Sequence, residues 1–270
     1  MTTTILGLIA GSGQFPLWVA KAAKAQGYTV HAVGLTSWAD VQLEQAVDSC
    51  VWLRLGELRK LIETLHTQQI TTATVAGKVT KEALLHGLAG LDSEALRLLA
   101  TIGGDLRVNR LLGAVAERLA SEGITLVDAT QFLHGWLPAQ GTLTTREPTS
   151  AEWDDIWLGQ SVAKALASFD IGQTVVLKRG VVLAVEASEA TDEAIRRGGD
   201  YSDGGLVVVK MARPQQDMRF DVPVVGPETL QALLSARATC LAVEAKKTLL
   251  LERETLMTQA NQAHLAIVAL

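Results

Sequence analysis

The sequence predicts an α/β protein built from two α/β domains. Short apolar runs alternate with stretches of helical spacing in both halves, and a glycine-bearing turn separates the first run from the first helix. One stretch has neither period: residues 134–150, HGWLPAQGTLTTREPTS, which hold two of the six prolines. The chain has 270 residues, 48% of them hydrophobic, which is enough apolar surface for a packed core and excludes a disordered chain.

Ile5–Ile9 is a continuous buried-strand run, ended by Gly11-Ser12-Gly13. A helix from Pro16 to Gln26 follows, with Pro16 in the first turn where its missing N–H costs nothing. Thr29–Val33, Ser49–Leu53 and Thr72–Ala76 are further strands. Between the last two, Leu58, Leu61, Ile62 and Leu65 fall at i, i+3, i+4 and i+7, so a helix buries one face there. Val108, Leu111, Leu112, Val115 and Leu119 repeat that spacing in a helix that Gly123 closes. Such alternation implies a parallel sheet with right-handed crossovers and both faces covered, so residues 1–133 read as a Rossmann-like domain. Residues 134–150 read as a linker.

Residues 151–270 read as a second, mixed α/β domain. A helix over Ala151–Phe169 opens it, and Trp153 and Trp157, one turn apart, are expected to pack together or against a neighbouring domain. Thr174–Lys178 and Val181–Glu186 form a hairpin through Arg179-Gly180, because two β-branched runs flank a glycine-bearing two-residue turn. A short helix over Asp192–Arg197 and a strand at Leu206–Lys210 come next. Helix Pro227–Ala236, strand Cys240–Val243, helix Arg253–Gln262 and strand Leu265–Val268 complete the half.

Composition removes several function classes. With 29 acids against 24 bases, a net charge of −5 and a pI near 5.6, the chain has no broad basic face for nucleic acid. Cys50 and Cys240 lie far apart without CxxC spacing, which reads as two buried thiols of a reducing compartment. The opening MTTTILGLIAG lacks a basic n-region, and no window approaches the ~18–20 apolar residues of a membrane span. The expectation is a soluble, cytoplasmic protein.

Gly11-Ser12-Gly13, at a strand-to-helix junction, is suited to hold a phosphate on the helix N-terminus. The dinucleotide fingerprint fails, since Pro16 stands where a glycine is needed and no acid lies ~20 residues on. The alternative is a turn that serves tight packing alone. Gly77-Lys78 resembles the end of an NTPase phosphate loop, but Thr72 and Val79 occupy two of its required positions. The five histidines, at 31, 66, 86, 134 and 264, share no ligand spacing.

The densest constellation is Lys210–Gly226, KMARPQQDMRFDVPVVG. Lys210, Arg213 and Arg219 alternate there with Asp217 and Asp221. Clustered bases cradle a polyanion such as a diphosphate, and carboxylates beside them suit a divalent ion, for which magnesium fits, or orient a water for attack on phosphorus. The alternative is a solvated edge with surface ion pairs, each worth ~0–1 kcal/mol. Upstream, Glu186 and Glu189 precede a helix that Thr191 or Asp192 is placed to cap. This is either an ordinary capped helix or a second anion-facing loop beside the first.

LGLIAGSGQFP, GGDLRVNRLL, DIGQTVVLKRGVVLAVEASEATDEAIRR and ARPQQDMRFDVPVVGPET, in that order, resemble the LpxI-type UDP-2,3-diacylglucosamine pyrophosphatases of Gram-negative lipid A synthesis. The likeness runs over nearly the whole chain, and its QDxRxDxP core is the specific part. It implies two α/β domains, the second catalytic, joined by a linker. It implies hydrolysis of UDP-2,3-diacylglucosamine to 2,3-diacylglucosamine 1-phosphate (lipid X) and UMP, with magnesium and with water attacking the sugar-side phosphorus. The essential aspartate of RxDxP matches Asp221, expected to hold the metal or orient the water. Asp217 joins it as a metal ligand, and Lys210, Arg213 and Arg219 contact the diphosphate. Thr191 and Asp192 match the family's TD pair, and Gly11, Ser12 and Gly13 are carried to nucleotide contact. Two positions depart from the pattern: Ala190 stands where the family has glycine, and Arg213 where it often has lysine. A lipid-linked substrate implies transient contact with the inner-membrane surface, and the choice between monomer and homodimer stays open. The readings set against this are a catalytically silent module that binds UDP-sugar or lipid, and an oxidoreductase resting only on the glycine turn.

Overall fold

The computed structural model describes residues 4–79, 90–104, 108–133, 135–169, 171–213, 217–220 and 222–270. The chain divides into two compact units, Met1–Leu133 with Asp217–Asp221, and His134–Gln216 with Val222–Leu270.

In the first unit β1 (Ile5–Ala10), α1 (Phe15–Ala25), β2 (Thr29–Leu35), α2 (Leu43–Ala46), β3 (Ser49–Leu53), α3 (Leu58–Thr67) and β4 (Thr72–Ala76) follow in turn. Then come α4 (Ser93–Thr101), α5 (Val108–Ser121) and β5 (Thr125–Val127). The five strands form one all-parallel sheet in the order β3-β2-β1-β4-β5, as the alternation predicts. Helix α3 turns Leu58, Ile62 and Leu65 to the core. Helices α2 and α4 and strand β5 are elements the periodicity did not single out. Helix α4 is started by Asp92, whose carboxylate accepts from the Glu94 and Ala95 amides, and β5 is only 3 residues long.

The second unit runs β6 (Gly141–Thr142), α6 (Ser150–Ser168), β7 (Thr174–Lys178), β8 (Val181–Val185), α7 (Thr191–Asp200) and β9 (Leu206–Lys210). It continues with β10 (Val224–Val225), α8 (Pro227–Ser235), β11 (Ala238–Val243), β12 (Leu249–Leu250), α9 (Arg253–Gln262) and β13 (Ala266–Ala269). Its six-stranded sheet has the order β6-β13-β11-β9-β7-β8 and is mixed. Strands β9, β11 and β13 are parallel, while β7 pairs antiparallel with both β9 and β8. The period of two sends alternate valines to opposite faces. Val176 and Val208 pack with Ile195, Leu230 and Leu256 of the helices on one side, and Val175 and Val209 pack with Ile156 and Ala163 of α6 on the other. The predicted hairpin turn is present: Arg179 and Gly180 have φ of 50° and 79°, and their amides donate to the buried Asp155 carboxylate at 2.8 and 2.6 Å. Trp153 and Trp157 stack on each other, centroids 5.3 Å apart.

The stretch read as a linker is built into this unit. Gly141 and Thr142 pair antiparallel with β13, and the Leu143 amide donates to Ile267 O at 2.8 Å. Arg146 then forks onto Glu152 with two 2.8 Å bonds and donates to His264 O and Thr239 O. Glu152 also closes the capping box with Thr149 at the start of α6. A two-residue strand has no readable period, so composition alone gave a linker where the sheet has an edge.

Burial pushes the Glu152 carboxyl up, but the Arg146 fork and the Thr149 amide outweigh it and hold its pKa at about 2, against an ordinary 4.5. The stabilisation is therefore complete above pH 4.5 and lost as pH falls toward 2, with a size of about 3 kcal/mol. Glu152→Gln is expected to lower stability at pH 7 by about 2–3 kcal/mol. The gap to wild type should narrow markedly at pH 3, as read from urea midpoints at the two pH values.

Candidate active site

In the second unit, Lys210 ends β9 opposite Thr174, the first residue of β7. Both are buried, Lys210 to 5% exposure. Strand β8 delivers Glu186, 8% exposed, whose amide donates to Thr174 O at 2.8 Å. The loop before β7 comes so close that a Cβ on Gly172 would lie 2.0 Å from Glu186 O, so only glycine fits there. The Lys210 ammonium donates to Thr191 Oγ1 at 2.7 Å, and that hydroxyl donates to Glu186 Oε1 at 3.1 Å. Glu186 Oε2 accepts from the Gln173 amide at 3.2 Å. The two clusters that looked separate in sequence, Lys210 and the loop carrying Thr191, thus meet in one buried polar group.

That arrangement changes how α7 begins. The sequence offers Thr191 or Asp192 as the cap, but the N-cap is Ala190, with φ of 74° and ψ of 170°, and the Thr191 hydroxyl is spent on Glu186 and Lys210. This conformation is almost confined to glycine and costs other residues ~1–3 kcal/mol. Asp192 follows, with Oδ1 buried and without a hydrogen-bond partner among the described residues, and the same holds for Gln173 Oε1. Both are hard oxygen donors, the kind that magnesium takes. Arg213 lies half-buried on the loop after β9.

Asp217 and Arg219 belong to the first unit. Arg219 donates to both Asp217 oxygens through Nε and Nη2, at 3.0 Å to Oδ1 and 2.7 Å to Oδ2, and lies 4.8 Å from the Phe220 ring centroid. The guanidinium holds the Asp217 carboxyl below its ordinary pKa. The expected metal ligand is thus held in an arginine fork. Asp221 lies outside the described residues, as do His134, Pro214 and residues 105–107 of the GGDLRVNRLL motif.

The glycine turn departs from its expected role. The strand order reverses between β1 and β4, a usual crevice for a nucleotide. Here the two loops that follow β1 and β4 pair with each other. Gly11 N donates to Ala76 O at 2.8 Å and Ser12 N to Lys78 O at 3.0 Å, while Lys78 N returns to Ser12 O at 2.9 Å. A Cβ on Gly11 would sit 2.7 Å from Lys78 O. The Gly11 and Ser12 amides expected to cradle phosphate are spent on the chain itself, and the close-packing alternative describes them better. Gly13, with φ of 90°, has nothing within 4 Å of a built Cβ and completes the turn.

Between this sheet and helices α3, α4 and α5 lies a cavity of about 160 Å³. Ile9, Val33, Val75, Leu98, Leu111 and Leu112 contribute to its walls, and Arg54 and Glu57 are its charged lining residues. Glu57 accepts from Lys60, then from the Arg54 amide and guanidinium, and these hold its pKa near 2. An apolar cavity of ~150 Å³ stays dry and admits apolar guests. No local pattern marks it, because its leucines share the spacing of ordinary core positions.

The sequence models of the LpxI N-terminal and C-terminal domains match residues 5–136 and 139–268. The chain belongs to the LpxI family. A relative from Caulobacter vibrioides named UDP-2,3-diacylglucosamine pyrophosphatase LpxI is 29% identical over 274 residues, covering 97% of this chain and 96% of the relative. Among solved structures, a glycinamide-RNase-transformylase T from Mycobacterium tuberculosis shares 18% identity over 68% of this LpxI-family chain, with a TM-score of 0.26. An N5-carboxyaminoimidazole synthetase from Staphylococcus aureus, complexed with ADP, shares 11% over 65%, with a TM-score of 0.27. The chain spans 44% and 38% of those two structures, and at such scores the likeness carries no argument.

The family's glycine before the TD pair now has a physical reason in the φ of Ala190. Ala190→Gly is expected to relieve the strain and stabilise the protein by about 1 kcal/mol, net of glycine's unfolded-state entropy. The check is a rise in the urea midpoint.

Proposed function

We propose that this chain hydrolyses the diphosphate of UDP-2,3-diacylglucosamine to 2,3-diacylglucosamine 1-phosphate and UMP. The observation that carries the reading is the end-to-end similarity to a protein named for that substrate, with both domain models matched. Two features of the structure support it: a buried ammonium held at a strand end, suited to an anion, and an apolar cavity suited to an alkyl chain.

In this reading, water attacks phosphorus, its oxygen joins the sugar-side phosphate, and UMP leaves. Lys210 and Arg213 offset the charge that develops on the diphosphate. Thr191 fixes the direction of the Lys210 ammonium. Asp221 is the essential carboxylate, orienting the water or holding the metal. In the second unit, Asp192 Oδ1 and Gln173 Oε1 are the oxygens that would hold such an ion. A magnesium ion held there would supply Lewis-acid stabilisation of the charge on phosphorus and a more acidic water. The acyl chains enter the cavity of the first unit, and a substrate carrying two of them brings the protein to the inner-membrane surface. No helix among the described residues is long and apolar enough to cross a membrane.

The direct test is UMP release from UDP-2,3-diacylglucosamine, with magnesium or EDTA, for wild type and Asp221→Ala. Magnesium-dependent release that Asp221→Ala reduces by at least a thousandfold is expected. Release indifferent to EDTA overturns the metal, and near-normal turnover of the variant overturns the role of Asp221. Substrate binding without release under any divalent ion favours the silent binding module.

Leu111→Trp, which fills part of the cavity, is expected to raise KM for the diacyl substrate about tenfold while leaving UMP affinity unchanged. An unchanged KM would remove the cavity from the acyl-binding role.

A further inference from the structure

We propose that Glu186 is a positioning residue for the reaction, holding the Lys210 ammonium in its working orientation through the Thr191 hydroxyl. The inference rests on the reading above, in which Lys210 faces the diphosphate.

The geometry fixes a direction along the chain of bonds. A lysine ammonium donates and accepts nothing, so in the 2.7 Å contact Thr191 Oγ1 is the acceptor. A hydroxyl has one proton to give, and the Thr191 proton goes to Glu186 Oε1 at 3.1 Å. Thr174 Oγ1, at 3.4 Å from Thr191 Oγ1, adds a hydroxyl contact on the same atom. The carboxylate is itself held by the Gln173 amide on Oε2, and the Glu186 backbone is pinned to Thr174 O. Each group in the sequence Lys210–Thr191–Glu186 therefore has its orientation set by the next.

Burial says why a carboxylate ends the chain. Lys210 and Glu186 are 5% and 8% exposed, and a charge at such depth is costly unless an opposite charge and hydrogen bonds answer it. Two buried opposite charges bridged by a hydroxyl are a poor way to gain stability. They are a good way to keep an ammonium in one place at the end of a strand. A lysine held only by its own flexible stem would have to be ordered when the substrate binds, or in the transition state itself.

The test uses Glu186→Gln, Thr191→Val and Thr191→Ser in the full-length protein. Glu186→Gln and Thr191→Val are each expected to lower kcat for UMP release about tenfold, the lower end of what partners that orient a functional group contribute, with KM changed less than threefold. Thr191→Ser keeps the hydroxyl and is expected to retain most of the rate. The Glu186→Gln, Thr191→Val pair together should cost little more than the worse single change, because Thr191→Val removes the link through which the Glu186 charge acts. A second readout needs no turnover: the Nζ resonance of Lys210 in 15N-labelled protein. It is expected to be sharp and slowly exchanging in wild type and Thr191→Ser, and broadened in Glu186→Gln and Thr191→Val. If Glu186→Gln does not fold, the two Thr191 variants decide. Wild-type kcat in Glu186→Gln with an unchanged Nζ signal overturns the proposal, as do additive losses or a Thr191→Ser no better than Thr191→Val. A wild type that releases no UMP but shows the expected Nζ pattern overturns the reading of the reaction and leaves the positioning chain standing.

Discussion

Putting a lysine ammonium inside a protein sets conditions on everything around it. The charge needs an answering carboxylate, the carboxylate needs donors of its own, and the segments that bring them must approach more closely than side chains usually permit. The second unit meets those conditions one after another. Glu186 answers Lys210 through Thr191, and the Gln173 amide answers Glu186. Gly172 lets the loop pass a carbonyl that any Cβ would strike at 2.0 Å. Ala190 accepts a left-handed conformation so that Thr191 points at the lysine and not along its own helix. The irregular features of this region are consequences of one buried charge.

The ion pair of Asp217 and Arg219 is of another kind. Arg219 is exposed over 43% of its side chain, and its fork on the carboxylate is a surface contact that contributes little to folding. The planar guanidinium matches the carboxylate with two donors, which a point-charge lysine does not do. Exposure leaves such a pair free to exchange partners. The buried set around Lys210 cannot, and that difference separates the two halves of a motif that is continuous in sequence.

The first unit combines a familiar strand order with an apolar cavity. Its parallel order has the switch point at which nucleotides usually sit, and there Gly11 and Gly77 bring two loops into backbone contact. The open volume lies between the sheet and helices α3, α4 and α5, walled by aliphatic side chains. Glycine at the crevice and leucine at the cavity are both ordinary choices for packing, and their positions in space give them a bearing on function.

The sequence by itself determined the alternation of strands and helices, the parallel first sheet, the hairpin at Arg179-Gly180 and the candidate cations, because each follows from local period or turn chemistry. It marked Lys210, Thr191 and Asp192 by residue type and by resemblance. It left Glu186 as a strand-end charge, missed Gln173 and Thr174, and made a linker of residues that form the sheet edge at β6. Those were decided by tertiary structure. Antiparallel pairing of β7 with β9 puts Thr174 opposite Lys210, and the return of β8 brings Glu186 to Thr191. A hydrogen bond between residues 191 and 210, or a cavity walled by leucines 98 and 111, depends on distances that no local pattern encodes. Period and propensity act over a turn or a strand, and the site is assembled from strand ends that only the completed sheet brings together.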